Sequence, residues 1–140
     1  VIELLVVMAT AGLIMATSTP LLLNYWRNAT TKAAAQELAG ALNRARQLAI
    51  AQNQGVCVEV VGGQYRYRLN GCAGAIWTGV GTGENGFFAL TSNVAVATNA
   101  NPVFDYLGAA VPAATFTVTN PAGGVTRSVV VSASGRVQIP

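Results

Sequence analysis

A chain of 140 residues has room for one buried core and not for two independent domains. Hydrophobic residues make up 52% of it and charged ones only 9%, against roughly 25% charged in an average soluble domain, so something beyond a core must host its apolar surface. The net charge of +3 comes from eight Lys and Arg against five Asp and Glu with no run of like sign, which argues against a polybasic membrane patch or nucleic-acid arm, and no histidine and two cysteines cannot supply the ligand set of a zinc site.

Residues 1–23 carry one charge, Glu3, among mostly apolar side chains and would span roughly 34 Å as a helix, close to the ~30 Å of a bilayer's hydrocarbon core. A cleavable signal peptide is the competing reading; the missing basic n-region and the acid at the third position weigh against it. A carboxylate in hydrocarbon costs a few kcal/mol unless paired or neutralised, and the first cation is Arg27, so the partner of Glu3 is expected from another molecule. The alternative is a stray terminal charge that reaches water at a membrane surface. Thr17-Ser18-Thr19-Pro20 strings poor helix formers before a residue that lacks a backbone donor, and Gly12 adds freedom upstream. Disruption of the helix is expected between Gly12 and Pro20.

From Asn24 to about Asn53 the pattern becomes amphipathic: Leu38, Leu42, Ala45 and Ala49 recur at helical spacing, while Lys32, Gln36, Asn43 and Gln47 can face outward. Gly55 is a natural stop. Asn28-Ala29-Thr30 matches a glycosylation sequon, but on a helix it reads as coincidence.

Beyond Gly55 the signals change to β. Val56–Val61 and Gln64–Leu69 flank Gly62-Gly63 and read as a hairpin with Tyr65, Tyr67 and Leu69 on one face and Gln64, Arg66 and Arg68 on the other, solvated one. A two-residue turn puts Cys57 opposite Arg68. Cys57 and Cys72, fifteen residues apart, suggest an oxidising compartment and one disulfide contributing roughly 3 kcal/mol, with two buried free thiols as the alternative. Further strands are expected at 93–98, 103–107, 115–119, 126–132 and 136–139, giving an antiparallel sheet or small sandwich. Gly81-Thr82-Gly83-Glu84-Asn85-Gly86 fits a phosphate-binding glycine pattern but has no βαβ context and reads as a loop. Glu59, Glu84 and Asp105 have no histidine or cysteine partner at catalytic spacing, so no catalytic constellation and no cofactor are proposed from the sequence.

The run Ile2-Glu3-Leu4-Leu5-Val6-Val7-Met8-Ala9, with its spacing to Pro20, resembles the N-terminal motif of mature type IV pilins and type II secretion pseudopilins. Ala45-Arg46, Ala49-Ile50, Trp77 with Gly79, Val103-Phe104 followed by Gly108, and Arg127–Ser132 with Gly135-Arg136-Val137 extend the likeness to the GspH/FimT branch. The resemblance implies an α+β fold: a hydrophobic transmembrane or filament-core half-helix at 1–23, an amphipathic half packed on the head at 24–54, and a β-rich head at 55–140. It further implies a homo-oligomeric helical filament in which Glu3 pairs with a neighbour's N-terminal amine, while Gly12 and Pro20 bound the stretch that melts on assembly. Expected partners are a prepilin peptidase, the inner-membrane assembly machinery and, before assembly, the membrane. The cleavage glycine and the methylated first residue fall upstream of Val1 in such a match. Three roles follow: a pilin of an extracellular filament, a minor pseudopilin of a type II secretion system in the periplasm, or a FimT-like DNA-binding minor pilin. The last uses a Gly-Arg-x-Arg motif; Gly135-Arg136-Val137-Gln138 lacks the second arginine, so Arg136 alone is a weak DNA contact and nucleic acid is not an expected partner.

Overall fold

The computed structural model describes all 140 residues. One helix, α1, runs from Ile2 to Gln52, roughly 77 Å long. It passes through Gly12 and Pro20 without a break. Hydroxyls of Thr10, Thr17, Ser18 and Thr19 donate to carbonyls three or four residues back, giving polar groups an internal partner on an otherwise apolar surface. In the isolated subunit, then, the 12–20 stretch is helical. The helix stops at Asn53, in the left-handed region (φ 52°), where the Asn53 and Gln54 amides close onto the Ile50 and Ala49 carbonyls. Gly55, the expected stop, instead sits two residues beyond, against Val103 and Phe104.

Nine strands follow: β1 Val56–Val61, β2 Gln64–Leu69, β3 Phe88–Ala89, β4 Ala95–Thr98, β5 Val103–Phe104, β6 Ala110–Val111, β7 Ala114–Thr119, β8 Thr126–Val131 and β9 Val137–Gln138. They form two antiparallel sheets, ordered β3-β2-β1-β5-β6 and β4-β7-β8-β9. The β1–β2 register pairs Cys57 with Arg68 and Glu59 with Arg66, as the Gly62-Gly63 turn dictates. Gly81–Gly86 is a loop closing in a single 3-10 turn at Glu84–Gly86.

Both sheets pack on one half of α1 only. Thr31, Ala34, Ala35, Leu38, Ala41, Leu42, Ala45 and Ala49 are buried at three- and four-residue spacing, and the alanines let strands lie close to the helix. Lys32, Gln36, Asn43 and Gln47 face out. Tyr67, Phe104, Phe116, Val58, Val118 and Val131 fill the space between helix and sheets. Tyr67, buried, donates its hydroxyl to the Ala41 carbonyl at 2.8 Å, a helix carbonyl reached from a strand. Lower down, Thr91 donates to both Glu37 oxygens, and the Asn120 amide to Thr30 Oγ1.

Two further expectations need correction. Arg66 and Arg68 are not freely solvated: both set their Nε on the same Glu59 oxygen and are largely covered. Arg66 also lies over the Phe87 ring at 4.5 Å. The second concerns strand ends. The 103–107 segment pairs only over Val103–Phe104, because Asp105 turns the chain by accepting from the Leu107 and Ala109 amides.

Candidate functional site

The feature that asks for a function is the unpacked half of α1. Every residue from Val1 to Trp26 is exposed, and an 18-residue apolar window within the helix has none of its residues buried. Leu4, Leu5, Val6, Val7, Leu13, Ile14, Leu21, Leu22 and Leu23 all stand in the open at half or more of their full accessibility. Burying such side chains is worth about 1.5–3 kcal/mol each, so this rod is stable only against lipid or other protein.

Glu3 lies in the first turn of this rod beside Val1, Leu4 and Val7 and makes no ion pair. Arg27, the first cation, is twenty-four residues on, roughly 36 Å along the axis, beyond the reach of any side chain. An acid at the helix N-terminus is favoured by the helix dipole, and the apolar side chains beside Glu3 offer it no counter-cation. Gly12 has nothing within 4 Å, and Pro20 leaves the helix one donor short.

In the head, Cys57 and Cys72 form a disulfide with Cα atoms 5.0 Å apart, tying the chain after β2 back to buried β1. Arg136 is exposed, and its guanidinium lies 2.8 Å from the side-chain oxygen of Gln138 in the amide orientation that satisfies both groups. The residue standing where a second arginine was sought therefore occupies the first one. The structure brings together none of Glu3, Gly12, Pro20, Cys57 and Arg136: they spread along the whole molecule.

Sequence reasoning missed three arrangements. One is the Glu59–Arg66–Arg68 cluster, where hydrogen bonds from Arg66 and then Arg68 hold the Glu59 carboxyl below its ordinary pKa, outweighing the opposing effect of burial. Another is Arg44, whose guanidinium lies over the Trp77 and Phe88 rings at 5.5 and 5.4 Å. The third is the pair Lys32 and Arg127, which line one open cavity with Pro140, while Arg27 packs separately on Gly123.

A single long helix, half bare and half clamped by antiparallel sheets, is the type IV pilin-like fold. The family model described as type II transport protein GspH matches residues 34–135, and the chain belongs to that family. Among solved structures it resembles the type IV minor pilin FimU of Pseudomonas aeruginosa (22% identity, TM-score 0.58, 83% of this chain and 92% of that one). It also resembles the minor pseudopilin EpsH from the type 2 secretion system of Vibrio cholerae (11%, TM-score 0.60, 79% and 95%). A third is Escherichia coli GspH (16%, TM-score 0.55, 81% and 89%). No curated protein sequence matches the chain. At these identities the likeness is one of fold.

Proposed function

We infer that the chain is a structural subunit of a type IV pilus-like filament, held in the inner membrane by residues 1–23 before assembly and polymerising through that half-helix into an extracellular fibre. The observation that carries this reading is the wholly uncovered apolar rod with a single unpartnered acid. Stacking rods side by side buries them, and a neighbour's N-terminal amine supplies the cation Glu3 lacks. Pro20 and Gly12 bound a stretch able to unwind when rods crowd together, although it is helical in the isolated subunit.

A second reading, a minor pseudopilin of a type II secretion system, is favoured by the GspH family match and the fold of EpsH. Cryo-electron microscopy of appendages sheared from expressing cells separates the two: a fibre built of this subunit supports the first, its confinement to a tip or the periplasm the second. For either, Glu3→Ala should reduce filament yield at least tenfold while leaving circular dichroism of the head unchanged. Normal filaments from that variant would discard the pairing of Glu3 with a neighbour. The DNA-binding reading rests on exposed Arg136 alone, since the uncharged Gln138 stands where a second arginine would be needed.

A further inference from the structure

We propose that the head carries both halves of a contact between copies of this chain, in which the Tyr106-Leu107 turn beside Arg46 on one subunit docks on the Val80–Glu84 loop of the next. The inference rests on the filament reading above and adds a bond between heads to the burial of the rods.

The first half lies where the β5–β6 hairpin packs on the end of α1. A Cβ on Gly108 would stand 2.7 Å from Arg46 Nε and 3.2 Å from Ile50 Cδ1, so the hairpin turn covers both side chains. Arg46 makes no ion pair, and its Nε is sealed from water without a hydrogen-bond partner, the only buried side-chain nitrogen or oxygen in the chain so left. Asp105, the acid of the same hairpin, gives one carboxylate oxygen to the Leu107 and Ala109 amides. A guanidinium stripped of water at one nitrogen gains from a carboxylate brought to its open Nη atoms. On this hairpin and the helix turn beneath it stand Ile50, Tyr106, Leu107 and Val111, four of the seven large apolar side chains exposed beyond Trp26. Apolar and aromatic side chains gathered about an arginine are the composition of a protein contact.

The second half is the loop that leads into β3. Val80 there is 94% exposed, the barest of the seven. Glu84, also exposed, is the head's only acidic side chain without a partner: Glu37 is held by Thr91, Glu59 by two arginines and Asp105 by two amides. It rims an open cavity of about 610 Å³ with Gln64, Gly81, Gly83, Phe87 and Ala89, which leaves room for a projecting turn.

The fold commits these halves to different molecules. Strands β3 and β6 are opposite edges of the five-stranded sheet, separated by roughly 19 Å, and no ion pair joins Glu84 to Arg46 within the chain. Between copies the turn meets the cavity and Arg46 meets Glu84, opposite charges each set in apolar surroundings. A contact between two different faces propagates from copy to copy rather than closing as a two-fold dimer, which is what a fibre of identical subunits requires.

The test is the yield of sheared fibres from cells expressing the full chain, with circular dichroism of each detergent-solubilised variant checking its fold. E84R and R46E should each lower the yield about tenfold by setting like charges face to face, and R46E/E84R should restore it to within about twofold. Co-expression of the two single variants should restore it as well, because each supplies what the other lacks. Arg46 is half-buried, so L107D on the exposed turn is a second probe, expected to lower the yield as far as E84R does. Wild-type yield from E84R and L107D would overturn the proposal. A loss in the single swaps that the folded double swap leaves unrepaired would also overturn it, and would assign the Arg46 patch to a different protein. Absence of fibres from the wild type would instead sink the filament reading, and the contact with it.

Discussion

Glu59 accepts from two guanidiniums on one oxygen, and this decides how the head responds to acid. Its folded pKa is depressed, chiefly by Arg66 and then Arg68, so the group binds a proton less readily folded than unfolded. The resulting stability is present above the unfolded pKa of about 4.3 and is lost as pH falls through the lower folded value. Glu59→Gln should therefore flatten the acid limb of a stability-versus-pH curve measured by urea unfolding. At neutral pH it should cost about 1–3 kcal/mol, since two covered guanidiniums are left facing each other. The pairing was within reach of the sequence, because the register that sets Cys57 opposite Arg68 also sets Glu59 opposite Arg66. Alternation alone tells which face a side chain takes, not how much of that face is covered. Phe87, which shields Arg66, arrives from a loop whose path no periodicity encodes.

Among elements, legibility follows the length of the repeating pattern. The strands β1 and β2 run over six residues each around a glycine turn, and the buried stripe of α1 repeats over about five turns, so both could be read from residue order. Two-residue strands such as β3 and β6 carry no period and are set by what they lie against. One such setting is the contact of two turns, Gly108 and Gly135. Gly135 has φ 77°, and a Cβ there would stand 1.8 Å from the Gly108 carbonyl oxygen. Gly62 has a similar φ of 63° but open space around it. Gly135→Ala should cost about 3 kcal/mol or more, through strain and overpacking together, whereas Gly62→Ala should cost about 1 kcal/mol from strain alone. Equal losses of denaturation midpoint in the two variants would refute that the turns are locked by contact.

At the scale of the whole molecule, the head is stable because sheets and helix share one core, and Tyr67 fastens them by its bond to the Ala41 carbonyl. Burial, reinforced by the nearby Tyr65, pushes the Tyr67 phenol well above the usual tyrosine range. Stability tied to its neutral form is present below the unfolded pKa of about 10 and falls as pH rises beyond it. In alkaline absorbance titration, one phenolate should appear only with unfolding, and Tyr67→Phe should remove that late step while costing about 1 kcal/mol at neutral pH. The family likeness was legible at this scale from a short motif and a handful of landmarks, because the rod's apolar run and lone acid are written consecutively in the chain. The cavity that joins Lys32 to Arg127 was not, since the two lie ninety-five residues apart in the chain. The bare rod also limits where traffic can occur. In a filament of the kind proposed, some two dozen residues that no aqueous monomer can hide leave no dissolved reservoir to exchange with along the flank. Gain and loss would then be confined to the place where the fibre's end touches a bilayer, with the length governed there and the flank kinetically closed.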